Sequence, residues 1–557
     1  MPVTTCDAVV VGAGPNGLVA ANALADAGWD VVLVEAQDEV GGAVRSAESV
    51  APGFVTDLFS AFYPLAAASP VIRDLHLERH GLTWRQAPDV MAHAFPDGRC
   101  AVLRRAAADT AAGLDEHHAG DGEAWLRMVA GWDRVRDPLL DALFTPFPPV
   151  RSGMRMLRRS GVAGALDLTR LGLLSVRRLG HEEFGSEQAR VLLTGNAMHS
   201  DVSPDSAGSA LFGWLLVMLG QDVGFPVPEG GAGMLATALR RRAESVGVQV
   251  RCGVPVTEVD VSSGRARGVG LADGSRVRAR HAVLADVPAP ALYGGLVAAP
   301  HLPPRLLDDL RRFDWDDSTL KLNWALDTPI PWTAPEAGGS GTVHLGVDDD
   351  GLVDVAADLS VGRMPRDPFI LLGQMTVADP TRSPEGTESA WAYSHLPRRW
   401  ATDEGAVAAQ VERMEEAVER VAPGFRSSQR ARQVQSPSDL QAADSSLSRG
   451  ALNAGTAALH QQLVLRPTRG LGRPETPVPG LYLASASAHP GGGVHGACGW
   501  NAAVAALRQR SPLGVVRRAV IRTAWSRVLR GARQAKTDAG HRGGVPVEQP
   551  RHPGEHP

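Results

Sequence analysis

A chain of 557 residues is too long for one compact hydrophobic core, so two domains are expected. A hydrophobic content of 44% and a charged content of 21% are typical of a soluble globular protein, and a net charge of −5 does not indicate a nucleic-acid partner. The four cysteines form no CxxC pair, which argues against a redox dithiol, a zinc ribbon or a disulfide framework.

The N-terminus carries neither a basic leader nor a long apolar span. MPVTTCDAVVVG runs directly into a strand pattern, and the longest apolar stretch, residues 210–220, is too short to cross a bilayer. The histidines lack HExxH or comparable ligand spacing. We therefore expect a cytoplasmic chain without a signal peptide, a transmembrane helix or a metal site.

The first elements predict a strand–helix–strand unit. DAVVVG (7–12) is a β-branched run, followed by the turn GAGPNG, an Ala- and Leu-rich helix and a second strand, VVLVE (31–35). Gly12, Gly14 and Gly17 have the GxGxxG spacing, which permits a tight turn, a close approach to a pyrophosphate and packing of the helix on the strand. Glu35, 18 positions after Gly17, is placed to accept hydrogen bonds from a ribose. The spacing predicts a dinucleotide site at the helix N-terminus.

A second glycine pair favours FAD over NAD. Gly41 and Gly42 stand six and seven positions after Glu35, where FAD-binding oxidoreductases carry a GG motif. The stretch PEGGAGM (228–234) has the wrong spacing and context for a second GxGxxG. One FAD without a separate nicotinamide domain is predicted.

These residues resemble the phytoene-desaturase-like branch of the amine-oxidase-type flavoproteins, and within it the pyridine nucleotide-disulfide oxidoreductase domain-containing protein 2 group. The resemblance covers the chain to about residue 510, and its strongest blocks are residues 9–45, 225–239, 250–259 and 480–503. The absence of CxxC means that disulfide chemistry is not carried over. The fold class implied is α/β: a discontinuous Rossmann-like FAD-binding domain with a second, mixed α/β substrate domain.

The resemblance also implies the domain division and the cofactor contacts. The FAD-binding domain is expected from residues 1–52, 225–290 and 465–510, and the substrate domain from 53–224 and 291–464. The implied cofactor-binding positions are Gly12, Gly14, Pro15, Asn16, Gly17, Glu35, Ala36, Gly41, Gly42, Arg45, Val256, Gly493 and Val494.

The C-terminal loop HPGGGVHG is expected to approach the flavin. Its glycines remove side chains where backbone must come close, and the helix starting near Gly496 aims N–H groups at the ring. Two positions depart from the family pattern. Ala43 replaces an arginine after the GG pair, with Arg45 as a substitute contact or a surface charge, and Ala484-Ser485 replaces a Gly-Asp that contacts the ribityl chain.

Lys321, in STLKLNWALD, is the candidate catalytic residue. The resemblance implies a lysine that holds a water near flavin N5, whereas the alternative is an exposed strand lysine. His489 and His495 are candidates for facing the substrate or for structural hydrogen bonds, and His199 for a cavity wall or a helix end. A cysteinyl flavin would require Cys498 near the ring.

Two arginine-rich stretches favour an interfacial role. Residues 151–180 carry seven arginines and one acid among apolar side chains, and residues 513–533 carry six arginines and no acid. Each suits a peripheral membrane surface, a partner protein or a packed or solvated helix face. A basic amphipathic helix is predicted over 511–536 and a disordered tail over 537–557.

The expected function is hydride removal from an apolar CH–CH or CH–NH substrate, with electrons passed to oxygen, a quinone or another acceptor. An amine oxidase proper is the competing enzyme hypothesis, and it would need two aromatic residues framing the flavin. Four tyrosines, with Trp500 near the glycine loop, supply such a cage poorly. A third hypothesis is a non-catalytic FAD-holding scaffold that regulates a partner.

Overall fold

The structure is a computed structural model that describes residues 3–509 together with Ile521, Thr523 and Trp525. Apart from those three positions, the predicted helix of 511–536 and the tail of 537–557 lie outside the described residues.

The described strands are β1 (Val3–Val11), β2 (Val31–Val34), β3 (Ser46–Ala47), β4 (Thr56–Asp57), β5 (Trp84–Arg85), β6 (Asp89–Ala94), β7 (Cys100–Leu103), β8 (Val227–Pro228), β9 (Gln249–Arg251), β10 (Val256–Ser262), β11 (Arg265–Leu271), β12 (Arg276–Ala285), β13 (Ser318–Leu326), β14 (Ser340–Leu345), β15 (Ile370–Gln374), β16 (Glu388–Leu396), β17 (Gln429–Gln435) and β18 (Leu481–Leu483).

The described α-helices are α1 (Pro15–Asp26), α2 (Pro64–Ala68), α3 (Pro70–Arg73), α4 (Ala107–Asp115), α5 (Asp121–Phe144), α6 (Val150–Leu171), α7 (Val176–Glu183), α8 (Glu187–Ala197), α9 (Ser209–Val223), α10 (Gly233–Ser245), α11 (Ala289–Ala291), α12 (Pro304–Leu310), α13 (Asp349–Ser360), α14 (Met375–Ala378), α15 (Glu404–Val421), α16 (Pro437–Ala443) and α17 (Ala497–Arg508).

The first sheet has a parallel centre. Its order is β10-β11-β12-β1-β2-β9, and β18 pairs with the C-terminal half of β12. Strands β9, β2, β1, β12 and β18 are mutually parallel, and Val11 pairs with both Val34 and Ala285. The carboxyl ends of these strands therefore meet at one edge, where doubly wound sheets bind their ligands.

Alternation of side chains explains how this sheet is covered on both faces. Ala8 and Val10 of β1 pack with helices α1, α10 and α17, while Val9 and Val11 pack with β10–β12 and with residues 289–306. Both faces are apolar, which is why the strands read as continuous hydrophobic runs.

The second sheet has the order β17-β13-β16-β15-β14-β6-β7 and is antiparallel except for β14 and β6. Leu320, Leu322 and Trp324 of β13 face helix α15 in one apolar cluster. The alternate residues Thr319, Lys321 and Asn323 point to the opposite face. This sheet draws its strands from residues 89–103 and 318–435.

The structure refines several sequence-based boundaries. The prolines of FTPFPP (144–149) predict a break between two helices, and the structure confirms it, because α5 ends at Phe144 and α6 begins at Val150. The alternating pattern of PFILLGQMTVAD (368–379) predicts a strand, but that prediction is wrong beyond Gln374, because β15 ends there and α14 begins at Met375. The buried Glu388 carboxylate accepts the Thr376 N–H (2.7 Å) and thereby favours a helical turn over further strand pairing.

Two stretches that the sequence division assigns to the substrate domain pack against the first sheet. Buried side chains within residues 63–82 join the core around α1 and α10, and those within residues 292–306 join the core on the other face. Both stretches therefore contribute to the cores on the two faces of the first sheet. Within the described part of the chain, no helix combines the length and apolar character needed to cross a bilayer.

Candidate functional site

The glycine turn after β1 is built as its spacing predicts. Gly12 has φ +90°, and helix α1 begins with Pro15 after Gly14 at the N-cap. A Cβ on Gly17 would lie 2.0 Å from the Gly12 carbonyl oxygen, so only glycine allows this helix–strand contact. The turn stands at the carboxyl edge of the parallel sheet, with its N-terminal helical N–H groups toward that edge.

The second glycine pair docks on this turn. The Gly41 N–H donates to the Ala13 carbonyl (2.8 Å), and a Cβ on Gly42 would lie 3.1 Å from Gly14 Cα. Two turns separated along the chain therefore present bare backbone to the same gap. This cradle, which a Cβ would fill, fits the pyrophosphate of a dinucleotide.

Arg45 links the second glycine turn to the end of α16. Its guanidinium donates to the Gly42 carbonyl (3.0 Å) and the Ala443 carbonyl (2.7 Å) and pairs with Glu39 (3.3 Å). The residue is buried, so the surface-charge alternative is wrong. Its donors are directed to protein oxygens, which makes Arg45 a residue that positions Gly42.

Glu35 lies at the end of β2, beside the turn. Its carboxylate accepts the Ala13 N–H (2.6 Å) and the Gln37 N–H (2.9 Å). The backbone that leads to Val256 lies next to Glu35, because the Val254 N–H donates to the Glu35 carbonyl (3.0 Å). Ala36 is exposed next to Glu35. The structure thus gathers the predicted adenosine-side residues at one place.

The C-terminal glycine loop packs tightly on protein atoms. A Cβ on Gly492 would lie 2.3 Å from Asn453 Oδ1, and one on Gly493 would lie 2.7 Å from Leu65 Cδ1. Gly491 and Gly493 also have φ values of +118° and +102°. The glycines are therefore required by the conformation of this loop and by its protein neighbours, and Val494 packs at the edge of the core around α1.

The two histidines of this loop are buried and differ in their contacts. His495 Nδ1 accepts the Ala497 N–H at the start of α17 (3.0 Å), and its ring lies 5.5 Å from the ring of Phe144. His489 faces Phe147 at 6.3 Å. Burial lowers the pKa of each imidazole to about 4, so both are neutral at pH 7. His495 therefore caps α17 as a hydrogen-bond acceptor.

Cys498 is turned into the protein. Its thiol is fully buried and points toward the carbonyls of Ala488 (3.6 Å) and Gly491 (3.7 Å). Burial raises its pKa to about 12, which disfavours the thiolate that a covalent flavin link would require.

Arg466 is a buried arginine that the sequence analysis did not identify, and it holds the C-terminal glycine loop in place. The Arg466 guanidinium donates to the carbonyls of Thr456 (2.9 Å), Asn453 (2.8 Å) and Ala486 (2.7 Å) and lies against Gly491. These partners come from two other loops, one at residues 453–456 and one at Ala486, so no local sequence signal identifies the role.

Replacing Arg466 with alanine is expected to lower the free energy of unfolding by about 3 kcal/mol or more, because several buried carbonyls lose their donor. Urea denaturation followed by circular dichroism measures the loss. Arg469→Ala is the matched control, since that side chain is 51% exposed and its partner Asp309 keeps ion pairs with Arg305 and Arg312. Equal stability of the two variants would contradict this role.

Lys321 is buried on the face of the second sheet opposite α15. Only 3% of the residue is exposed, which rules out an exposed strand lysine. Its ammonium donates to the Asp57 carbonyl (2.6 Å), contacts Asn323 and lies 5.4 Å from the centre of the Trp391 ring. Burial lowers its pKa to about 7, so its charge changes near neutral pH.

A buried histidine–aspartate pair shares this face. His395 lies two pairing positions from Lys321, because Tyr393 pairs with Lys321 and His395 with Thr319. His395 Nε2 is 2.8 Å from Asp201, and although burial lowers its pKa, Asp201 raises it to about 9. The His199 Nε2 atom lies 2.9 Å from His344 Nε2, so His199 belongs to this buried polar face.

Asp286 is another residue that the sequence reading missed. It follows β12 directly, and its carboxylate accepts the Gly17 N–H (2.7 Å). An acid placed directly after the apolar strand pattern HAVLA (281–285) is the signal that could have identified it. Within the described residues no group of three or more potential ligands suits a metal ion.

The chain belongs to the flavin containing amine oxidoreductase family, whose family model matches residues 16–507. Membership confirms FAD as the cofactor and the chain as an FAD-dependent oxidoreductase acting on CH–CH or CH–NH substrates. When bound, FAD supplies the hydride acceptor, and the protein supplies binding, orientation and electrostatics.

Particular relatives support the resemblance seen in the sequence. Pyridine nucleotide-disulfide oxidoreductase domain-containing protein 2 from Mus musculus is 29% identical over 551 residues, covering 90% of this chain and 93% of that protein. The neurosporene-forming phytoene desaturase of Cereibacter sphaeroides is 25% identical, and the match covers 91% of this chain and 95% of that protein. A solved oxidoreductase from Methanosarcina mazei shares the fold, with a TM-score of 0.60 and 15% sequence identity. The match covers 90% of this chain and 99% of that chain. These comparisons confirm the predicted α/β class.

Proposed function

We propose that this protein dehydrogenates an apolar CH–CH substrate that it takes from a membrane surface, with Lys321 beside the reacting atoms. Bound FAD is held between the turns of Gly12–Gly17 and Gly41–Gly42, with Glu35 and the backbone near Val256 on the adenosine side. Gly493 and Val494 then belong to the loop that borders the flavin. Oxygen or a quinone takes up the electrons.

Helix α6 carries this proposal. Only Ser152 is buried among its 22 residues. Met154, Leu157 and Leu166 are 50%, 48% and 64% exposed, beside the arginines of the 151–180 stretch. Several of those arginines pair with acids, as Arg170 does with Glu182 (2.7 Å). Leu168 and Leu171, near the end of α6, pack against the helical core, whereas Met154, Leu157 and Leu166 stay at the surface. A basic helix that exposes several apolar side chains, even with a kink at Gly161, suits an anionic membrane interface.

The aromatic residues favour a hydrocarbon over an amine. Tyr63, Tyr293 and Tyr482 are buried in the core around the first sheet, which leaves Tyr393 for the face of the second sheet that carries Lys321. The Tyr393 ring stacks on the Trp391 ring, with 6.0 Å between the ring centres and 10° between the ring planes. These two rings therefore cannot frame a substrate from opposite sides. The relative named as a phytoene desaturase supports the same choice.

Membrane binding is expected to depend on α6. The double variant Leu157→Asp/Leu166→Asp should bind vesicles of phosphatidylcholine and phosphatidylglycerol at least tenfold more weakly, because two charges replace exposed apolar side chains. Vesicle co-sedimentation measures the bound fraction. Val361→Asp, which changes a 60% exposed valine at the end of α13, is the matched control. Equal binding by all three proteins, or none by the unaltered chain, would overturn the membrane proposal.

Anaerobic bleaching of the bound flavin tests the reaction. Polyene or terpene hydrocarbons presented in detergent micelles are expected to bleach the flavin absorbance, whereas alkylamines and putrescine are not. Bleaching by amines alone would establish an amine oxidase proper. Retained FAD that no substrate bleaches, together with a stable protein complex, would favour the scaffold hypothesis.

A further inference from the structure

Asp286 stands at the centre of the cofactor edge. Its N–H donates to the Val11 carbonyl (2.7 Å), which places it in one row with Gly12 and Glu35 at the ends of neighbouring strands. The parallel pairing of β12 with β18 puts Ala484 next to it, since the Ala484 N–H donates to the Ala285 carbonyl (2.8 Å). Asp286 therefore lies beside the end of β18. The family pattern places a carboxylate at that strand end, whereas this chain has Ala484-Ser485 there.

The Asp286 side chain caps helix α1 from outside the helix. The N-cap residue is Gly14, which has no side chain to accept a helical N–H, and Asp286 Oδ2 accepts the Gly17 N–H instead (2.7 Å). The same oxygen lies 2.9 Å from the position of a Cβ on Gly14. The carboxyl group therefore borders the cradle formed by the two glycine turns, and Asp286 as a residue is partly buried.

The groups that face Asp286 are acidic or neutral. Glu35 at the end of β2 and Asp444 after α16 act on it as negative charges, and the Cys498 thiol of α17 is also within electrostatic range. Asp444 Oδ2 lies 3.5 Å from the Cβ position on Gly42. Arg45, the nearby cation, is directed to Gly42, Ala443 and Glu39. A pyrophosphate carries negative charge, so an ionised Asp286 would repel it.

We propose that Asp286 is part of the FAD site and binds the cofactor as a neutral carboxylic acid, donating its proton to a phosphate or ribityl oxygen while it accepts the Gly17 N–H. One oxygen of the acid accepts and the other donates, which matches its place between the helix N-terminus and the gap. Burial, with the charges of Asp444 and Glu35, raises the pKa of Asp286 to about 8, so the group is mainly protonated at pH 7.

A neutral Asp286 makes the affinity for FAD depend on pH. Above its pKa the free protein must take up one proton to bind FAD, so affinity falls as pH rises. With a pKa of about 8, the dissociation constant for FAD at pH 9.5 should be about thirtyfold higher than at pH 6.5, provided that the complex holds the proton throughout.

The experiment titrates apoprotein with FAD between pH 6.5 and 9.5, following the quenching of flavin fluorescence. Asp286→Asn keeps an acceptor and a donor without the charge, so it should bind FAD with a nearly constant affinity and about thirtyfold more tightly than the unaltered protein at pH 9.5. Calorimetry at pH 9.5 in buffers of different ionisation enthalpy should show about one proton taken up by the unaltered protein and none by the variant. Asp350→Asn, at a side chain that is 80% exposed, is the control.

Two outcomes would overturn the proposal. Weaker FAD binding by Asp286→Asn at every pH would mean that an ionised carboxylate accepts hydrogen bonds from the ribityl hydroxyls. Identical pH-independent binding by both proteins would mean that Asp286 only caps α1. Because the readout is binding of FAD itself, neither outcome depends on the substrate or the membrane proposal.

Discussion

Gly14→Val is expected to yield a protein that purifies without flavin and binds added FAD at least about 100-fold more weakly, a loss of roughly 2.7 kcal/mol. Gly14 has φ −66° and ψ 175°, which valine adopts without strain, so the effect comes from lost space. The new Cβ would lie 2.9 Å from Asp286 Oδ2, and its methyl groups would enter the gap between the two glycine turns. The visible spectrum and a fluorescence titration with FAD measure the change.

Gly338→Val separates this effect from a general cost of valine. No atom lies within 4 Å of a Cβ on Gly338, and its backbone is not in the left-handed region. That variant should keep its flavin, and both variants should retain the circular dichroism spectrum of the unaltered protein. A Gly14→Val protein that binds FAD normally would show that the pyrophosphate lies elsewhere.

Lys321→Met is expected to keep FAD bound while lowering the midpoint potential of the flavin by about 30 mV or more, equivalent to about 1.4 kcal/mol for two electrons. The positive charge of Lys321, if it lies beside the ring as proposed, stabilises the negative charge that develops on reduction. The rate of anaerobic bleaching by substrate should fall about 10- to 100-fold. Dye-coupled reductive titration measures the potential and stopped-flow absorbance the rate.

The pKa of Lys321 predicts how this difference varies with pH. Since burial lowers the pKa to about 7, the ammonium form dominates at pH 6 and is mostly lost by pH 8.5. The gap in potential between the unaltered protein and Lys321→Met should therefore shrink as pH rises through 7. Arg363→Met removes a surface charge that is 67% exposed and should change neither quantity. Equal potentials and rates in the unaltered and Lys321→Met proteins would remove Lys321 from the reaction.

Much of the cofactor site could be predicted from the sequence because its requirements are local. The turn at Gly12–Gly17, the acid at Glu35 and the helix that starts after Gly496 follow from spacing between neighbouring elements. The parallel strands were likewise recognisable, since β1 and β2 are continuous apolar runs. Their ends nevertheless differed by a few residues, as β1 begins at Val3 rather than Asp7.

The sequence by itself determined the family, the α/β class and FAD, because glycine spacing and strand patterns encode backbone geometry over a few dozen residues. Only the tertiary structure decided that Lys321 is buried, that Arg45 braces Gly42, and that Arg466 joins three loops. It also brought Asp286 onto Gly17, 269 residues away. Such contacts depend on the register between strands that are remote in the chain, and the charge state of a buried side chain depends on neighbours that only this register supplies.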